Sequence, residues 1–195
     1  MGGSMILGST MAENPSEPLR LHIGGWEVRP GWKILDVLTG PKVDFVGNCT
    51  DLRQFAENSV QTIYASHVLE HLGYQEEVIS ALREMKRVLV PGGELMFSVP
   101  DLEVLSKLFV HPQLGPHERF KVMRMMFGGQ MNSADFHRMG WTWEFAQSIL
   151  ARFAFTNIRR VSAFGLFNDT SRLEFGGVPI SLNVMAEKPG KAAAK

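Results

Sequence analysis

Hydrophobic and polar positions follow two rhythms along this chain. Short apolar runs bounded by turn residues predict strands at Arg20–Gly24, Lys33–Val37, Val43–Val46 and Val60–Ser66, the last preceded by Asn58-Ser59. A longer rhythm then takes over. Val78, Leu82, Met85 and Leu89 fall on one stripe and predict a helix. Glu76 and Glu77 sit at its start and Lys86 and Arg87 at its end, as the helix dipole favours. Pro91-Gly92-Gly93 is expected to stop it, and Glu94–Val99 to follow as a fifth strand. Pro100-Asp101 ends that strand and caps a helix over Leu102–Val110. Two more helices are predicted, Pro116–Phe127 and, opened by Thr142, Trp143–Ala154. Strands at Asn157–Ala163 and Ile180–Ala186 close the pattern.

Strands alternating with helices predict an α/β fold with a mostly parallel sheet. The first three strands, however, lie too close in sequence for ordinary crossovers, which usually take a dozen or more residues. The first crossover helices are therefore expected to be shortened or absent, or these strands to be partly antiparallel. The reading divides the chain into a flexible lead-in over 1–18, one domain over 19–189 and a disordered tail over 190–195.

Composition narrows the function classes. Twenty basic residues balance twenty acidic ones, so no net field attracts nucleic acid or an anionic membrane. No apolar run approaches the ~20 residues of a membrane helix. The lead-in lacks the basic start and apolar core of a signal peptide. A single cysteine, Cys49, makes no internal disulfide and suits a reducing, cytoplasmic setting.

Three constellations carry candidate chemistry. Gly24-Gly25 follows the first strand and Asp36 ends the second, a pattern in which a backbone turn admits a ligand and an acid takes ribose hydroxyls. As a bare pattern it is weak, since Gly-Gly after a strand is often only a turn. Asp51-Leu52 follows the third strand; its carboxylate either accepts a bond from an adenine amino group or caps a short helix over Leu52–Glu57. Ser66-His67-Val68-Leu69-Glu70-His71 leaves the fourth strand, and His-x-x-Glu-His is the order of an inverted zinc-peptidase motif. Its position at a strand end, with no third acid in view, weighs against zinc, and no metal ligand is assigned.

In order, the segments "LHIGG", "GWKILDV", "NCTDLRQFAENSVQTIYASHVLEHL", "LREMKRVLVPGGELMFSVPD" and "ISLNVMAEKP" resemble the class I S-adenosylmethionine-dependent methyltransferases of the type 11 group. The resemblance spans Leu21 to Pro189. It implies a Rossmann-like sheet with S-adenosylmethionine as cofactor. Gly24 and Gly25 would then approach the methionine part, Asp36 the ribose, and Asp51 and Leu52 the adenine. Ser66 and His67 would line the sulfonium and face the acceptor. The segment "FGGQMNSADFHRMGWT" resembles a branch in which some members lie near glycan synthesis, so a small-molecule or glycan acceptor is expected. The turn departs from the family's Gly-x-Gly by placing Trp26 after the glycines.

Such a reaction is an in-line methyl transfer, with alignment supplying much of the rate. His67, His71 and His137 are the candidate bases, His67 first because it ends a strand. Phe164–Pro179 reads as a lid, a cover over the core or a contact with a second subunit, so homo-oligomerisation stays open. Met123, Met125, Met126 and Met131 read as ordinary core or an acceptor pocket. Two rival functions remain: a non-catalytic binding or assembly protein on this fold, and a zinc hydrolase built on His-x-x-Glu-His.

Overall fold

The computed structural model describes residues 19–132 and 135–190; the lead-in and most of the expected tail fall outside these. Five strands run parallel: β1 (Leu19–Ile23), β2 (Trp32–Asp36), β3 (Phe45–Val46), β4 (Val60–Ser66) and β5 (Leu89–Pro100). Between β4 and β5 lies α1 (Glu77–Val88). Helices α2 (Leu102–Phe109), α3 (Pro116–Phe127) and α4 (Trp143–Arg152) then precede β6 (Thr156–Val161). A small hairpin, β7 (Glu174–Phe175) and β8 (Val178–Pro179), leads into β9 (Ser181–Glu187). The main sheet has the order β3-β2-β1-β4-β5-β9-β6, with β9 antiparallel to both neighbours.

The first crossovers carry no helix, and the strands they join are nonetheless parallel. Strand length explains how. A five-residue strand rises about 17 Å, and the eight residues from 24 to 31 can span about 27 Å when extended. A bare loop is therefore long enough to return to the start of β2. The expected antiparallel option is set aside.

Right-handed crossovers that move in opposite directions along a sheet lie on opposite faces. The step from β4 to β5 places α1 on one face, where Val78, Ala81, Leu82, Met85 and Val88 bury against Leu21, Ile63, Leu95 and Phe97. The steps from β1 to β2 and β2 to β3 leave the other face without helices. A strap over 162–173 covers part of it instead. Phe167 packs on Tyr64 and Met96, with Phe164, Leu166, Trp32 and Met185 around them. Asn168 N–H donates to Glu27 Oε2 at 2.8 Å, tying the strap to the β1–β2 loop. Of the three readings of Phe164–Pro179, the structure shows the cover over the core.

Two local expectations shift. Pro91-Gly92-Gly93 does not separate helix from strand; it forms an irregularity inside β5, where Val60 pairs Leu89 but Thr62 pairs Glu94. Gly92 takes φ +80°, which a glycine accepts without steric cost. The caps hold as read. Asp101 accepts from Glu103 and Val104 N–H, and Thr142 from Phe145 N–H. Met125 and Met126 join a satellite cluster around Leu105, Val122 and Ile180, whereas Met131 is exposed.

Candidate functional site

The strand order reverses direction at β1, which is flanked by β2 on one side and β4 on the other. In open α/β sheets this switch point, beyond the carboxyl ends of the strands, is where ligands sit. A cavity of about 480 Å³ lies there, lined by Gly24 after β1, Asp36 to Leu38 after β2, Gly47 to Cys49 after β3, and His67, Val68, His71 and Leu72 after β4.

Gly24 has φ +69°, and a Cβ there would stand 2.6 Å from Val68 Cγ2. Its N–H donates to Leu35 O at 2.8 Å, holding the turn against β2. Gly25 is fixed by a different neighbour. A Cβ there would meet the His22 ring at 2.5 Å, so it serves packing beneath the turn rather than the cavity wall. The Asp36 carboxylate, at the end of β2, accepts Leu38 N–H through Oδ1 at 2.8 Å. Beside it Leu38 is 70% exposed, an apolar side chain left in solvent at the cavity edge.

Asp51 and Leu52 stand apart from this wall. Asp51 pairs with Arg53 at 2.7 Å, and that guanidinium holds its carboxyl below the usual range. Leu52 is wholly buried in the main core. The residues that follow β3 into the cavity are Gly47, Asn48 and Cys49, three positions earlier than the sequence pattern suggests. Burial pushes the Cys49 thiol up to about 12.

Ser66 and His67 are adjacent and serve different cavities. His67 lines the first, while Ser66 lines a second of about 420 Å³ with His22, Gly24, Trp26, Asn168, Asp169 and Thr170. Trp26 therefore borders this second space and is absent from the wall of the first. Gly24 belongs to both. The buried atoms His22 Nδ1 and Ser66 Oγ have no hydrogen-bond partner among the described residues. Burial lowers the His22 pKa to about 4 against the pull of Asp169 and Glu27, so its ring is neutral at pH 7.

The 67–71 segment is a turn, not a helix, so His67 and His71 do not share a helix face. His67 takes φ +54°, and a short 3-10 turn covers Leu69–His71. His67 Nε2 is 3.2 Å from Ser181 Oγ, and its Nδ1 is 3.2 Å from Glu70 Oε1. His71 Nδ1 lies 3.2 Å from Phe136 O, and its ring meets His137 edge-on with centroids 4.9 Å apart. His137 is not a surface histidine. Its side chain is 11% exposed, it lies outside the cavity wall, and burial lowers its pKa. Its neighbour Arg138 reaches the cavity and pairs with Glu77 at 3.2 Å. Arg138, Glu77 and Asn48 carry no local sequence signal for this role; only the closure of the fold brings them together.

A seven-stranded sheet of this order, its antiparallel strand inserted between β5 and β6, with a cavity at the switch point, defines a Rossmann-like fold of the class I methyltransferase type. The family model described as a methyltransferase domain matches residues 33–97, which run from β2 into β5. Solved structures agree over most of the chain. An S-adenosylmethionine-dependent methyltransferase from Archaeoglobus fulgidus aligns with TM-score 0.55 at 13% identity, over 89% of this chain and 87% of that one. A Bordetella parapertussis protein described as a possible exported protein aligns with TM-score 0.53 at 13% identity, over 88% of this chain and 62% of that one. The CurJ carbon methyltransferase aligns with TM-score 0.52 at 13% identity, over 92% of this chain and 50% of that one. The chain thus spans less than two thirds of the last two. No curated protein matches it by sequence. Among the described residues no helix is long and apolar enough to cross a membrane.

Proposed function

We propose that this protein is an S-adenosylmethionine-dependent methyltransferase acting on a small-molecule or glycan acceptor in the cytoplasm. The observation that carries the reading is the meeting of Gly24, Asp36 and His67, from three different strand ends, on one cavity at the switch point. The residues fit the cofactor. Gly24 offers a surface that a side chain would fill, and Asp36 has lone pairs beyond its bond to Leu38 for two ribose hydroxyls. Val37 and Leu38 give an apolar edge for adenine, with Gly47, Asn48 and Cys49 on the same wall. Arg138, on the same wall, suits a carboxylate.

When bound, the cofactor supplies an electrophilic methyl group on sulfur. The chain's contribution is alignment and exclusion of water. The second cavity meets the first at Gly24, and its lining of Trp26, Ser66, Asn168 and Asp169 suits a hydroxylated acceptor. For an acceptor hydroxyl, His67 is the candidate base on the cavity wall, its ring held between Ser181 Oγ and Glu70 Oε1. His71 lines the same cavity, and His137 packs behind it against the His71 ring. Titration with S-adenosylmethionine, followed by tryptophan fluorescence and thermal shift, tests the reading. Saturable binding supports it; no response at millimolar cofactor overturns it and favours a non-catalytic role.

A further inference from the structure

Methyl transfer leaves the surroundings of Glu70 unexplained. Its side chain is 1% exposed, and apart from His67 Nδ1 at 3.2 Å from Oε1 its carboxylate has no polar side chain within hydrogen-bond distance among the described residues. An ionised carboxylate so placed needs a compensating cation, because burial without one costs several kcal/mol. Two histidines face it besides His67. His137 Nε2 is 4.0 Å from Glu70 Oε1, and His71 stacks edge-on against His137. One ligand-capable atom each from Glu70, His71 and His137 lies within 4.8 Å of the other two.

The surroundings are those of a ligand set. His71 Nδ1 sits at hydrogen-bond distance from the Phe136 carbonyl, which can only accept, so the lone pair falls on Nε2. Ligating histidines are commonly oriented by such a bond to a backbone carbonyl. His67 Nδ1, 3.2 Å from the carboxylate, is the outer partner that a ligating carboxylate usually keeps. Ligand atoms sharing a tetrahedral ion lie about 3.4 Å apart, so a contraction of roughly an ångström closes the set.

We propose that Glu70, His71 and His137 form a site for one divalent transition-metal ion, which pins the 135–139 segment to the wall of the main cavity. Two imidazoles and a carboxylate select zinc, cobalt or iron(II) over magnesium and calcium. The segment already leans on this turn, since Arg138 and Met139 N–H both donate to Glu70 O. The ion would complete that attachment. The site uses neither Gly24 nor Asp36 and does not depend on the methyltransferase reading.

The test is cobalt titration of the full-length protein after chelator treatment. A visible d–d spectrum should saturate at one equivalent and be displaced by zinc. Zinc should also raise Tm, and magnesium should not. Glu70→Gln and His137→Ala should each weaken binding a hundredfold or more, while His117→Ala, at the exposed surface, leaves it unchanged. If Glu70→Gln does not fold, His71→Ala, at the half-exposed rim, decides the same point. A chelated protein without a one-equivalent cobalt spectrum, or undiminished affinity in His137→Ala, overturns the site. Parallel titration of metal-free protein with S-adenosylmethionine keeps the two readings separate, because cofactor binding without a cobalt spectrum rejects only the metal.

Discussion

Tyr64 donates its hydroxyl to Asp169 Oδ2 at 2.6 Å, joining β4 to a strap 105 residues later in the chain. Phe167 stacks on the same ring, with centroids 5.2 Å apart and planes 28° from parallel. This contact replaces the crossover helices that the short β1–β2 and β2–β3 loops leave out. Phe167→Ala should therefore cost as much as an aromatic deletion in a main core, about 3–4 kcal/mol. Tyr64→Phe should cost about 1–3 kcal/mol by leaving Asp169 short of a donor. Urea unfolding measures both. A loss below 1 kcal/mol in Phe167→Ala would show that the strap is not part of the folded core.

Stability should fall below neutral pH through His22. Its pKa is about 4 in the folded protein against an ordinary value of 6.5. The unfolded chain therefore takes up the proton first as pH falls. The stabilisation is fully present above 6.5 and is lost between 6.5 and 4, in total about 3 kcal/mol. The groups facing the ring are Asp169, Glu27 and Tyr64, and the two carboxylates oppose the shift without reversing it. Histidine NMR should show His22 not titrating above pH 5, and His22→Gln should flatten the decline in urea melts. Titration near 6.5 would mean that the ring is open to water.

Cys49 should resist thiol reagents at pH 8 in the native state, because it is 3% exposed and its thiol is pushed up to about 12. Reaction with a chromogenic disulfide should follow unfolding. Rapid labelling of folded protein would contradict the packing at the end of β3.

The stretch from β4 to β5 was legible because its signals agree with one another. A β-rich run, one apolar stripe and a Pro-Gly-Gly punctuation all point to strand, helix, strand. Even there the punctuation misled, since extended backbone continues through Gly92 and Gly93 as an irregularity within β5. The wall of the main cavity was half legible. Gly24 and Asp36 sit at strand ends, where position in the pattern fixes position in space. Asp51-Leu52 matched by residue type, yet β3 is only two residues long and the chain reaches the cavity earlier, at Gly47 to Cys49. His137 was found as a histidine but not as the neighbour of His71, because a contact across 66 positions leaves no periodic trace in either segment.

Gly24→Ala should impair both stability and cofactor affinity. Its φ of +69° disfavours any side chain, and the new Cβ would meet Val68 at 2.6 Å. A stability loss of about 1–2 kcal/mol is expected. Adding Val68→Ala should recover part of it by removing the clash but not the backbone strain. Full recovery, or none, would show that one of the two causes is absent.

The most direct test of the cofactor site compares two aspartates. S-adenosylmethionine affinity should fall at least tenfold in Asp36→Ala, as hydrogen bonds to a charged group contribute about 1.5–3 kcal/mol. It should stay within twofold in Asp51→Ala, whose carboxylate is held by Arg53 away from the cavity. Calorimetric titration of the three proteins gives the answer. Unchanged affinity in Asp36→Ala, or a large loss in Asp51→Ala alone, would contradict a cofactor site at the ends of β1 and β2.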